Sequence, residues 1–490
     1  MIFGTLHCES CARLREENAI LRAVNARLCG EAAEAQARIE LQEARIAALG
    51  RNSRTSSKPP SSDIVKPKPR PAGGTKRRIG GQPGHPRHGR PPFAAAELSA
   101  PPFEHYPGTC PHCGGEGMPE PGWAPKVVQQ VEIREVPLWK EEHHYHSCRC
   151  VECGAAYQAQ PTGYMAAAGL CGPYLTALVG YMKCALHASY STIRRFLVNV
   201  CGLKLSRSQI AKLVAKVSCA LETPYGQLQA ALAEQPALHV DETGHRDNGN
   251  RFWTWVFRAD LYVLFKIEDN RSSSVLVDVL GAEFDGVLGC DFFSAYRKYM
   301  RLFDVRVQFC LAHLIREVRY LCELPEGAGP AYGRGLLKAI REMFAIIAQA
   351  QERGLGREAI RSELDAARER ILAVKFQEPE AEQAGSAGAR AARNLSKRLE
   401  QYGAAYFEFV TTPEIEPTNN RAEQAIRFVV IDRLITQGTR GRKGRQFCER
   451  IWTAIATCAV QKRDVFAYLV EAVQASFRNE PAPSLMPAGP

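Results

Sequence analysis

Over the first fifty residues the seam positions recur every seven. Leu14, Leu21, Leu28, Ala35, Gln42 and Leu49 share one position, and Asn18, Asn25, Ala32, Ile39 and Ile46 share the other. That period predicts a helix over 1–50 whose apolar seam seeks a partner, as in a coiled coil. Asn18 and Asn25 in the seam cost stability but fix register and strand number, so a homo-oligomer is expected, most simply a dimer. Periodicity then stops, and 51–100 reads as a flexible linker.

In 101–160 the stretch "VVQQVEIREVPLWKEEHHYH" alternates as strands do, between "CPHC" and "CRCVEC". Residues 161–232 return to the helical period. Ile193, Phe196, Leu197 and Val200 share one face before Gly202, and Ile210, Leu213, Val214 and Val217 share the next. Two short helices about a glycine suggest a helix-turn-helix-like DNA-binding domain, with Arg207, Gln209 and Lys212 where groove-reading side chains belong.

From 236 the period becomes two. Strands are predicted at "PALHVDETG", on both sides of a turn at Ala259 and Asp260, at "VLGCD" and at "VRVQF", with helices starting at "SSSVLVDVLG", after Asp291 and near Leu311. Three strands, helix, strand, helix, strand, helix is the order of a mixed sheet flanked by helices, a multidomain α/β chain overall. This core occupies 233–325. A helical insertion follows over 326–407, the second part of the core with a basic tail over 408–480, and a disordered end over 481–490.

Composition places the chain among globular proteins: 490 residues, 45% hydrophobic and 23% charged. No run of eighteen apolar residues or export signal stands out, so a cytoplasmic protein without a membrane partner is expected. Its seventeen cysteines then read as reduced thiols. The two CxxC pairs, Cys110 with Cys113 and Cys150 with Cys153, suit one structural Zn²⁺ in a ribbon, since each tight turn presents two thiolates to one tetrahedral ion. Cys148 is an alternative ligand, although it does not repeat the CxxC spacing. Of the net charge of +11, residues 51–90 hold most: eleven Lys or Arg against Asp63 alone, which suits contact with phosphates.

Three acids are candidates for chemistry: Asp241 at the end of the first strand, Asp291 at the end of the fourth and Glu423 near the start of a late helix. Each has a structural alternative. Asp241 could open a turn, Asp291 could cap a helix, and Glu423 could complete a capping box with Asn420. Neighbouring strand ends would bring the aspartates together, with a helix laying the glutamate over them. Hard oxygen ligands so clustered suit Mg²⁺, and two such ions can serve both oxygens of a phosphodiester displacement. Cys310 and His313 read as packing. The glycine-interleaved "TRGRKGR" fits phosphate contact.

The blocks "HVDETG", "CDFFSAY", "CLAHLIREV" and "PTNNRAEQAIR", with upstream "SSKPPSSD" and "GGQPGH", together resemble the bacterial insertion-sequence-66 family of transposases. The resemblance implies a ribonuclease-H-like core. Its DDE triad would be Asp241, Asp291 and Glu423, binding two Mg²⁺, cutting double-stranded DNA at terminal inverted repeats and joining the freed 3′ end to target DNA. It also implies a nucleoid-associated bacterial protein and suggests small co-encoded accessory proteins. The alternatives are a catalytically silent DNA-binding regulator derived from a transposase, and a ribonuclease-H-like DNA nuclease. Elemental analysis of the purified chain checks the ribbon: about one zinc per chain is expected, lost in Cys110→Ser.

Overall fold

The computed structural model describes residues 9–49, 164–324, 327–379 and 386–487, with short pieces at 94–97, 101, 137–140, 147–149 and 156–158. The chain divides into two compact units: 1–67 with 145–198 and 204–490, and the smaller 68–144 with 199–203. In the smaller unit the described residues include one short helical turn, Ala95–Glu97. Cys110, Cys113, Cys150 and Cys153 lie outside the described residues. Strands β1 (Ser147–Arg149) and β2 (Ala156–Gln158), on either side of the second cysteine pair, form a two-stranded antiparallel sheet.

Helix α1 (Glu9–Leu49) is continuous, and Leu14, Leu21 and Leu28 are exposed along it. The stretch Met165–Cys184 has the length and hydropathy to cross a membrane. It is broken, however, into α2 (Tyr164–Ala168) and α3 (Pro173–Cys184), the second starting with proline at its first position. Helix α3 buries Ala177, Val179 and Met182. Helices α4 (Tyr190–Asn199), α5 (Arg207–Ala220) and α6 (Glu222–Ala230) follow. The second helix of the expected DNA-reading pair, α5, turns Ile210, Leu213, Val214 and Val217 inward, and Val217 comes close enough to Gly180 of α3 that a Cβ there would sit 2.9 Å from it. Gln209 is committed to a capping box: it accepts from Ser206 N–H (2.8 Å) while Ser206 Oγ accepts from its own amide. Arg207 and Lys212 remain exposed.

The core is an open mixed sheet of five strands: β3 (Ala237–Asp247), β4 (Asn250–Arg258), β5 (Val263–Glu268), β6 (Val287–Cys290) and β7 (Arg306–Phe309), in the order β5-β4-β3-β6-β7. Antiparallel hairpins join β3, β4 and β5, and β6 and β7 add on parallel. Crossover helices α7 (Ser273–Leu280) and α8 (Ser294–Phe303) connect β5 to β6 and β6 to β7. This arrangement is consistent with a ribonuclease-H-like core. Beyond β7 come α9 (Leu311–Cys322), the insertion helices α10 (Ala328–Glu352), α11 (Arg361–Ala373) and α12 (Ala387–Tyr402), then α13 (Asn420–Thr436), α14 (Arg442–Val460) and α15 (Val465–Arg478).

Two expectations need correction. Strand β3 does not stop at Asp241 but runs to Asp247, because Asn248 (φ 50°) and Gly249 (φ 83°) make the tight left-handed turn that feeds β4. The chain end is also not loose over 481–487. Leu485 is buried, its carbonyl accepts from Gln461, and the Pro483 and Ser484 carbonyls accept from Tyr468 and Arg463.

Helix α14 closes the edge of β5 with side chains in place of a strand. Thr457 Oγ1, Thr453 Oγ1 and Glu449 Oε1 accept from the amides of Val263, Phe265 and Ile267 at 3.1, 3.0 and 2.7 Å. Four helical residues advance about 6.0 Å and two strand residues about 6.7 Å, so the two ladders stay in step. Thr453→Val orphans the buried Phe265 amide and is expected to destabilise the core by about 1–3 kcal/mol; Thr453→Ser, which keeps the acceptor, is expected to melt close to wild type. Paired thermal and urea unfolding curves check this.

Candidate active site

Asp241 and Asp291 meet through strand register. Parallel pairing of β3 with β6 aligns Ala237 with Val287, Leu238 with Leu288 and His239 with Gly289. Each aspartate lies two residues beyond the last pair and so on the same face as it, because side chains alternate along a strand. Gly289 is required here, since a Cβ would stand 2.8 Å from His239 Nδ1 and 3.0 Å from Ile415. Asp241 Oδ1 accepts from Glu242 N–H (2.9 Å), and Asp291 Oδ1 accepts from Phe293 N–H (2.9 Å) in a turn that leads into α8.

Helix α13 covers this face and is latched by Asn419. Asn419 immediately precedes the helix, yet its side chain makes no cap. Instead Oδ1 lies 3.1 Å from His239 Nδ1, Nδ2 donates to Val240 O (2.8 Å), and its amide donates to Cys310 Sγ (3.1 Å). The capping box that was the structural alternative for Asn420 and Glu423 is therefore not formed: the helix begins one residue earlier than that pattern needs. Glu423 is also not paired with Arg427. Its carboxylate faces α9, with Oε1 3.7 Å from His313 Nδ1 and Oε2 3.5 Å from Arg316.

Electrostatics separates the three acids. Burial raises the Asp241 carboxyl well above the usual range, reinforced by the charges of Glu242 and Asp291 and least by that of Glu423. Asp291 is pushed up to about 7 by burial and then by Glu242, against its turn hydrogen bond and Arg271. The three carboxylates do not lie mutually within 4.8 Å. Among the described residues the group that does is Cys310, His313 and Glu423, a set that could hold a metal ion. His313 Nε2 takes a hydrogen bond from Arg316 (3.3 Å), which leaves the proton on Nδ1, toward Glu423. Burial, then Arg316, lowers the His313 pKa to about 4, and burial raises the Cys310 thiol to about 11. Cys310 and His313, read from sequence as packing, thus line the site: one anchors Asn419, the other faces Glu423.

Glu242 escaped the sequence reading because it looked like a turn residue. Its carboxylate is buried on the opposite face of β3, held by Arg271 Nε (2.7 Å) and by the Tyr296 hydroxyl. Arg271 lies between the rings of Trp253 and Phe293, 4.8 and 3.8 Å from their centroids. Attraction to the two ring faces adds to the ion pair with Glu242.

Residues 168–446 match the transposase IS66 family, more than half of the chain. The chain belongs to that family. Residues 10–91 match a family of unknown function, DUF6444. A relative described as uncharacterized protein y4hP, from Sinorhizobium fredii (strain NBRC 101917 / NGR234), is 23% identical over 406 residues, covering 74% of this chain and 70% of that protein. IS66 membership makes this a transposase-like protein that acts on DNA.

Between the ordinary carboxylate value of 3.8 and about 7, the folded chain retains the Asp291 proton that the unfolded chain has lost. Stability from this group therefore falls as pH rises through that window. Asp291→Asn removes the penalty and is expected to stabilise the chain in EDTA at pH 8 by up to about 4 kcal/mol, with the difference closing below pH 4. Thermal melts of both proteins at the two pH values check it.

Proposed function

We propose that this chain is a DNA transposase that binds the terminal inverted repeats of an insertion sequence and carries out Mg²⁺-dependent cleavage and strand transfer with Asp241, Asp291 and Glu423. The observation that supports this most is the register of β3 and β6, which puts two half-buried aspartates on one face of the sheet beneath the helix that carries the glutamate. The donor set suits a hard divalent cation. Its ligands are carboxylate oxygens, the two aspartates resist ionising together without a counter-charge, and Glu423 Oε1 is buried without a hydrogen-bond partner. Mg²⁺ held by these residues supplies activation of the attacking oxygen and stabilisation of the leaving one.

The chain's own groups prepare that chemistry. The backbone amides of Glu242 and Phe293 orient Asp241 and Asp291, Asn419 fixes the first turn of α13, and Arg316 with His313 holds Glu423. Glu242, clamped by Arg271 and Tyr296, adds negative potential behind the aspartates without reaching the substrate face.

The remaining modules serve DNA handling and assembly. Helix α1 pairs chains through Leu14, Leu21 and Leu28, Zn²⁺ on Cys110, Cys113, Cys150 and Cys153 folds the ribbon, and the basic linker contacts phosphates. Small co-encoded proteins complete the complex, which works at the nucleoid.

Asp241→Asn is expected to abolish Mg²⁺-dependent cutting and strand transfer on DNA carrying the element's terminal repeats while leaving end binding near wild type. Gel assays of cleavage and mobility shift test this, and retained cutting would sink the three-acid assignment.

A further inference from the structure

A groove of about 940 Å³ lies in the larger unit between the turn joining α3 to α4, the first turns of α5, the last turns of α13 and the start of α14. Leu186, Phe196, Val214, Ile435 and Phe447 make part of its lining apolar. Lys183, Arg207, Arg440 and Lys443 line it as well, against a single acid, Asp432. That acid already has a partner, since its Oδ1 lies 2.8 Å from His187 Nδ1. Tyr190 also lines the groove, with Lys183 Nζ 5.8 Å from its ring centroid.

The two chemistries narrow the occupant. A B-form duplex turns its bases inward and offers phosphates and groove edges, so it would leave the apolar wall unmatched. An apolar peptide would leave the cations unmatched. A single DNA strand satisfies both, because unstacked bases lie on aromatic and apolar surface while cations follow the phosphates.

The groove is also tied rigidly to the acids. Its Gly438 (φ 88°) packs so tightly that a Cβ would meet Arg246 O at 2.1 Å, and Thr439 N–H donates to Arg246 O (2.9 Å), so this wall is fixed to the strand that carries Asp241. Along α13, Ile435 stands twelve residues from Glu423, about 18 Å at 1.5 Å per residue.

We propose that this groove binds a single-stranded segment of DNA a few nucleotides from the scissile bond, with Arg440 and Lys443 on its phosphates and Tyr190 against a base. The proposal rests on the transposase reading for its placement relative to a cut, but the binding itself can be measured without cleavage. A strand parted near the element end would be captured here and kept from re-pairing.

The test uses the full chain and fluorescein-labelled duplexes of arbitrary sequence, one blunt and one with a single-stranded 3′ tail, followed by fluorescence anisotropy over a range of NaCl. Wild type is expected to bind the tailed DNA more tightly. Arg440→Gln with Lys443→Gln is expected to remove that preference and to make the logarithmic salt dependence on tailed DNA shallower by about 1.4, at about 0.7 per single-strand phosphate. Tyr190→Leu is expected to weaken tailed binding by about ten-fold, the effect of losing one stacked base, with the salt slope unchanged. The charge-matched pair Arg353→Gln with Lys375→Gln, on exposed residues outside the groove, is expected to behave as wild type. Equal binding of the two DNAs by wild type, or an unchanged tail preference in the Arg440/Lys443 variant, overturns the proposal, as does an equal loss in the control pair. Failure of the transposase reading has a different signature: no Mg²⁺-dependent cutting by wild type, with the tail preference and its loss in the groove variant intact.

Discussion

The parallel pairing that puts Asp241 and Asp291 on one face of the sheet is the constraint on which the core depends. Once β3 and β6 align His239 with Gly289, Asp241 and Asp291 have to share a face two residues later. The neighbourhood is built around that crowding. Gly289 leaves room for the His239 ring, the ring meets Asn419, and Asn419 reaches Val240 O and Cys310 to pin α13 overhead. Burial and then Glu242 push Asp291 up to about 7, while burial, Glu242 and Asp291 together push Asp241 up.

Arginine serves two separate purposes in this molecule. Some guanidinium groups are structural: Arg271 on Glu242, Arg398 on Glu317, and Arg445 on Asp247. Arg445 belongs to the stretch "TRGRKGR", read from sequence as uniformly available for phosphate. Asp247 takes it, together with the Gly441 amide and the Thr439 hydroxyl, and so fastens the loop to the tip of β3. Arg440, Arg442 and Lys443 in the same stretch stay exposed. The anchored residue positions the exposed ones.

The order of strands and helices in the core was legible, because the switch between periods of 3.6 and two survives wherever one face of an element is buried. Asp241 was misplaced at a strand end because "DNGN" was not read as a hairpin turn, although Asn-Gly between strand-like runs is a strong local signal for one. The capping alternative for Glu423 fails for another reason. A capping box is a local pattern, and it lost to contacts that Asn419 makes with residues 109 and 179 positions away. Nothing local marks such partners, and the same holds for His313 and Arg316 against Glu423. The Gln209 error shows the reverse, since a local cap took a residue that fold-level reasoning had reserved for DNA.

Both rims of the five-stranded sheet are occupied. Along β5 the acceptors come from α14, and beside β7 Gln308 donates to Tyr406 O and accepts from Phe409 N–H. A sheet whose borders are already taken by its own chain cannot be lengthened by a neighbour's strand. Copies brought close together therefore cannot fuse their cores edge to edge into a continuous ribbon.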